Sequence, residues 1–234
     1  MVQGKKPTKD DVLHHLRHAI LTQKLQPGAD LDEARLSEEW QLSRTPLREV
    51  LRQLAGEGFV DIRANRGARV AEMSHRTLRD FFLAAPMIYG AILRLAAQNA
   101  RPLQIAALKE AQVAFKTALR GGDIATRALA NNHFHDVTGQ MAGNIYLLPS
   151  FQRLLIDHAR ISMTFFRPQD AQMVENLSAA SDQHDAIIAA IEAGDEDAAA
   201  GLAIAHWNLS RDRIEQFVMP AGLDLQLGTG AAPA

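Results

Sequence analysis

The chain has 234 residues, 47% of them apolar, with 25 Lys+Arg against 27 Asp+Glu for a formal charge of −2, and no cysteine. That length allows one large domain or two ordinary ones of about 100–200 residues, and the missing cysteines exclude a disulfide framework or thiolate metal site and fit a reducing compartment. The N-terminus "MVQGKKPTKDDVLHH" has no apolar run able to act as a signal sequence, and no stretch approaches the ~20 apolar residues of a membrane span. A soluble cytoplasmic protein with no membrane partner is expected.

A first helix is expected over about 9–25, with Leu13, Leu16, Ile20 and Leu21 as its apolar edge and "QPGAD" as its stop. A second, shorter helix runs through "DEARLSEEW", and "QLS" turns the chain into a third. There Leu47, Val50, Leu51 and Leu54 have the spacing of a buried stripe, while Arg44, Arg48 and Arg52 recur every four residues along one side. Thr45 followed by Pro46 predicts the start of this helix, a hydroxyl cap and then a proline at the first position. "AGEG" ends it, and "FVDI" and "ARVAEM", joined by "RANRG", read as a hairpin with glycine in the turn.

The order helix, helix, turn, helix, hairpin is that of a winged helix-turn-helix, assigned here to residues 1–75. Residues 76–219 show no strand pattern. They read as six or seven helices of an all-α domain, broken at Pro102, Gly121-Gly122, Gly143-Asn144, Pro168 and Gly194, and 220–234 reads as a loose Gly/Ala/Pro-rich tail. The fold class is therefore mainly α, an N-terminal winged helix-turn-helix followed by a C-terminal helical bundle.

In a helix-turn-helix, the helix after the turn enters the major groove with its N-terminal residues against base edges. Arginine reads guanine through a bidentate bond and also grips phosphate. Arg44, Thr45, Arg48 and Arg52 are the candidates on that helix, with Asn65, Arg66 and Gly67 at the hairpin tip. A solvated face in which Glu49 and Arg52 pair locally is the plainer reading of the arginines alone; the order of elements favours DNA.

The segment "LRHAILTQKLQPGADLDEARLSEEWQLSRTPLREVLRQLAGEGFVDIRANRGARV" resembles the DNA-binding domain of GntR-family bacterial transcription regulators through "PG", "L-x-E-x-x-L", "SRTPLREVL-x-x-L-x-x-EG" and "RGARV" in the right order. The resemblance implies DNA contact by Arg44, Thr45, Arg48 and Gly67. Some relatives place an arginine directly after the glutamate of "L-x-E"; here that residue is Ala34.

Three histidines of the second half sit where histidine is not free. His184 shares an edge with Ile187, Ile188 and Ile191, His206 is in register with Leu202, Ala203 and Leu209, and His135 follows Asn131 by one helical turn. An imidazole facing a helical core needs a partner for its nitrogens. An ordinary hydrogen bond or a metal ion answers that need, and three such residues on separate helices shift the balance toward metal. Imidazole suits zinc, nickel, copper or iron, with zinc or nickel the leading expectation.

The helical half looks like the FCD ligand domain of the FadR subgroup of GntR regulators, whose metal-binding members carry Asp-x-x-x-His on one helix and single histidines on two later ones. "NNHFH", "DQHDAIIAAIEAGD" and "AHWNLSR" match those segments, so the resemblance implies Asn131, His135, His184 and His206 as the ligand set. Asn131 stands where the motif has a carboxylate and brings no charge. Ala85 and Tyr89 occupy the places where relatives show an arginine and a glutamate, so an effector here would need other arginines; Arg94 and Arg160 are the candidates. His133 points away from His135 on a helix, and His158 is expected to be structural or exposed.

The leading expectation is a transcriptional regulator that binds a near-palindromic double-stranded operator as a homodimer, its helical domain holding a divalent metal and a small carboxylate effector. A metal that is purely structural, or is itself the signal, remains open. A metal-dependent hydrolase with an appended DNA-binding head is the rival from another class, but the chain has no H-E-x-x-H, no nucleophile elbow and no carboxylate pair placed for the role. The protein is therefore read as a non-enzyme.

Overall fold

The computed structural model describes residues 7–64, 67–166 and 171–218. The expected tail at 220–234, the break at Pro168 and the hairpin-tip residues Asn65 and Arg66 lie outside the described residues.

Helix α1 (Lys9–Leu21) is opened by a capping box in which the Thr8 hydroxyl accepts from the Asp11 N–H and the Asp11 carboxylate accepts from the Thr8 N–H. It ends at Leu21, four residues earlier than expected, because Thr22 caps it and Gln23 turns to φ +54. A two-residue strand β1 (Asp30–Leu31) precedes α2 (Glu33–Trp40), whose N-cap Asp32 accepts from the Arg35 N–H at 2.8 Å. Gln41, in the left-handed region, makes the turn into α3 (Arg44–Glu57).

The start of α3 differs from the expectation. Ser43, not Thr45, holds the N-cap, without a side-chain cap bond, so Pro46 falls at the third helical position. It is tolerated there because the first-turn N–H groups have no partner within the helix. Strands β2 (Val60–Arg63) and β3 (Gly67–Val70) form the expected hairpin, and β1 adds a third strand in the order β1-β3-β2. Leu31 lies opposite Ala68 and Ile62 opposite the same residue on the other side. The head closes on one core of Val12, Leu16, Ile20, Leu31, Leu47, Val50, Leu51, Leu54 and Val70.

Six described helices follow: α4 (His75–Asn99), α5 (Pro102–Gly121), α6 (Ile124–Ala142), α7 (Leu147–Phe165), α8 (Ala171–Ala193) and α9 (Glu196–Val218). Helix α4 packs against α6, α7, α8 and α9 and so forms the centre of the bundle. Contrary to the sequence expectation, it is long and apolar enough to cross a membrane by length and composition. Its apolar face is instead spent on the core, through Phe81, Ala85, Tyr89, Ile92, Leu93 and Ala96.

Helix α7 joins the two halves. Ile156 belongs to the core of the head, and Arg153 lies against Gly58, whose φ of +90 and lack of a side chain allow that approach. Arg160, fully buried, donates to the Ala71 carbonyl at 2.9 Å and lies 3.2 Å from the Asp157 carboxylate, while its own carbonyl accepts from the Gln23 amide.

Candidate DNA-binding face and histidine centre

Burying Leu47, Val50, Leu51 and Leu54 against the head core leaves Arg44, Thr45, Arg48 and Arg52 on the exposed side of α3. Arg44, Arg48 and Arg52 line one concave face with Arg63 and Gly67 of the hairpin and with Asp32 and Glu33 at the start of α2. Thr45 is exposed beside that face rather than on its lining. Arg48 gives its Nε–H to Glu33 at 2.9 Å, which leaves the Nη edge of its guanidinium turned to solvent. The local Glu49–Arg52 pair of the plainer, solvated-face reading does not form, since Glu49 pairs with Lys9 at 2.9 Å. Gly67 has φ +81, and a Cβ there would collide with the Leu31 carbonyl; the close approach that requires glycine is to β1. Arg69 is turned aside into a pair with Asp30 at 2.7 Å.

The second cluster is buried in the bundle. One ring nitrogen from each of His135 on α6, His184 on α8 and His206 on α9 lies within 4.8 Å of the others. Helical register explains each contribution: His184 faces inward with Ile187, Ile188 and Ile191, and its ring stacks on Phe134 at 3.7 Å with the planes 9° apart. Among the described residues, the Nε2 atoms of His135 and His184 are buried and find no hydrogen-bond partner. At the outer edge, the Nδ1 of His184 meets the Gln112 side-chain oxygen and that of His206 the Gln183 side-chain oxygen, each at 3.0 Å. A side-chain oxygen on Nδ1 orients a ring and leaves the Nε2 lone pair to bind a cation, the arrangement common around ligating histidines. Burial pushes all four interior imidazoles toward the neutral form, His206 down to about 4 and His158 to about 3, with His135 and His184 held well below the usual histidine range. Neutral imidazole is the form that binds a metal ion.

Asn131 is buried one turn before His135 and borders a cavity of about 30 Å³ with Tyr89, His158, Ser162 and His206. Neither Arg94 nor Arg160 reaches it. Arg94 is an exposed residue paired with Asp197 at 2.6 Å, and Arg160 is committed to Ala71 and Asp157 between the two halves. Among the described residues lining the cavity there is no lysine or arginine. His133 is exposed while His135 is buried, so the two point apart as expected, but His158, expected to be structural or exposed, lines the centre: its ring lies 5.0 Å from that of His135, and its Nδ1 is 2.5 Å from the Tyr89 hydroxyl. Its spacing from Leu154, Ile161 and Ser162 placed it on the buried stripe of α7 and was the available signal. Gln112 and Gln183 carried none, because their role appears only when distant helices meet.

Residues 86–209 match the FCD domain family, and residues 8–70 match the bacterial regulatory proteins of the gntR family. The chain belongs to the GntR family, in its FCD-containing branch. It is a transcriptional regulator with a DNA-binding helix-turn-helix. The chain is 30% identical over 205 residues to the HTH-type transcriptional repressor GlaR of Escherichia coli (strain K12), covering 85% of this chain and 92% of that one. It is 28% identical over 200 residues to a probable D-xylose utilization operon transcriptional repressor of Paenarthrobacter nicotinovorans, 84% of this chain and 85% of that one. Among solved structures, E. coli McbR/YncC superposes with a TM-score of 0.71 at 20% identity, over 88% of this GntR protein and 95% of its counterpart. The histidine centre described above lies within the FCD match.

Proposed function

We propose that this regulator acts in the cytoplasm as a homodimer on a near-palindromic operator, and that His135, His184 and His206 hold a divalent ion, zinc or nickel first, at which a small carboxylate effector binds and modulates operator binding. Arg44, Thr45, Arg48 and Arg52 meet the major groove, with Gly67 holding the hairpin beside them. The observation that carries the metal reading is the pair of buried Nε2 atoms, on His135 and His184, with no hydrogen-bond partner. A buried acceptor left unpaired is costly, and a cation relieves both at once. Dimerisation is supported by the family, whose members bind DNA operators and typically dimerise.

A bound ion would supply positive charge and open positions for an oxygen ligand. Among the described lining residues there is no lysine or arginine, so a small carboxylate binds through the charge of the metal rather than through an arginine. The 30 Å³ volume, room for about two waters, favours a ligand of few atoms. It equally supports the metal itself as the signal.

Metal analysis and native mass spectrometry of the purified protein test the site: one divalent ion per chain is expected, lost in the His135→Ala/His184→Ala double variant. Asn131→Asp should raise metal affinity in competition with a chelator, because it restores a charged oxygen beside His135. Operator binding that is indifferent to chelator and to added zinc or nickel would reject the regulatory reading.

A further inference from the structure

The three paired histidines of the centre do not carry their ring protons in the same place. Gln112 gives its amide N–H groups to the Ser181 carbonyl at 2.9 Å and to Asp185 at 3.0 Å, so its oxygen faces the Nδ1 of His184. An amide oxygen only accepts, hence Nδ1 of His184 bears the proton and Nε2 its lone pair. The Gln183 oxygen imposes the same on His206. His158 has a different partner, the phenol of Tyr89. Tyr89 is buried, and its hydroxyl makes no other hydrogen bond among the described residues. A buried O–H must place its proton somewhere. Donation to the Nδ1 of His158 satisfies it; the reverse arrangement leaves the phenolic hydrogen with no acceptor among the described residues.

Therefore, resting on the metal reading above, we infer that His158 is not a fourth metal ligand but an Nε2–H donor, held in that tautomer by Tyr89, that recognises a small carboxylate bound at the metal's open position. His158 lies outside the group of three nitrogens within 4.8 Å, as a non-ligand should, yet it lines the same cavity as Asn131 and His206. Ser162, one turn further along α7 and also on the lining, adds a hydroxyl. A carboxylate places one oxygen on the ion and offers the second to these donors. An amine of the same size, its one lone pair on the ion, has only hydrogens to turn toward the His158 N–H and is rejected.

The inference is tested with cobalt-loaded protein titrated with acetate, read by the visible cobalt spectrum, in the wild type and in Tyr89→Phe, His158→Ala and His158→Gln. Cobalt affinity is expected to stay within about threefold in all four, which also reports that the bundle is folded. Acetate affinity should fall about tenfold or more in Tyr89→Phe and His158→Ala, the loss of a hydrogen bond to a charged group, with partial recovery in His158→Gln, whose amide restores an N–H. Independently, long-range nitrogen NMR of the metal-free protein should show His158 protonated at Nε2 and His184 at Nδ1. A collapse of cobalt affinity in His158→Ala would make His158 a ligand and overturn the inference. So would a His158 proton on Nδ1, acetate affinities equal across the variants, or no acetate response in the wild type. Failure of the wild type to bind cobalt at all would overturn the metal reading and this inference together.

Discussion

The two halves of the molecule put their working side chains in opposite environments. In the head, guanidinium groups stand in solvent on α3 and the hairpin, and the carboxylate nearest to Arg48 is displaceable. In the bundle, imidazoles are stripped of water and forced neutral, with two of their nitrogens left unpaired. A surface that must grip many phosphates and read bases needs charge that is permanent and reachable. A centre proposed to hold one ion would need donors that gain much from its arrival, and burial would supply that gain. The two arginines that the sequence offers for an effector divide along the same line: Arg160 is buried and structural, Arg94 exposed and peripheral.

Acid breaks this contrast most strongly. An unfolded histidine titrates near 6.5, whereas His206 and His158 are pushed by burial to about 4 and about 3, and His135 and His184 are also held low. Below pH 6.5 the unfolded chain takes up protons that the metal-free bundle refuses. Its stability is therefore complete above that pH and is lost as the pH falls from about 6.5 toward 4, by up to about 1.4 kcal/mol per pH unit for each histidine. Urea midpoints of metal-free protein at pH 7.5, 6 and 5 measure this; equal midpoints would mean that the imidazoles are not held neutral.

Arg160→Ala comes next. It leaves Asp157, whose own carboxyl burial pushes up, with Arg153 at 3.2 Å as its remaining cation and frees the buried Ala71 carbonyl, so a loss of about 1–3 kcal/mol in denaturant unfolding is expected. An effect near zero would show that α7 is not anchored through this residue. On the head, Arg48→Ala should weaken binding to a selected operator by about 1–3 kcal/mol if Arg48 reads a base, and by a similar amount on every duplex if it touches phosphate alone; competition titrations at fixed salt separate the two. Arg94→Ala closes the series. Its pair with Asp197 is exposed, so unfolding should shift by less than about 1 kcal/mol and metal affinity not at all. A change in metal affinity would return Arg94 to the site.

Much of the head was legible in the sequence because its determinants are local. The stripe of Leu47, Val50, Leu51 and Leu54 and the opposed arginines follow from helical period alone, and they fold as read. Two residues of strand at Asp30–Leu31 were too short to register, and the Thr45-Pro46 cap lost to Ser43 because a proline is acceptable anywhere in the unpaired first turn. In the bundle, His135, His184 and His206 could each be singled out from the apolar edge they share. Their orientation could not. Gln112 meets His184 across 72 positions and Tyr89 meets His158 across 69, separations over which no periodicity carries information.

What the sequence determined by itself was therefore most of the elements, the arginine-bearing helix and the inward edge shared by three histidines, since each rests on spacing within a single helix. The tertiary structure decided which nitrogens face inward, that Arg160 ties the halves together, and that His158 belongs to the cavity. The physical reason is that the position of a ring proton depends on the one atom it meets, and here that atom comes from another helix, brought close only by packing.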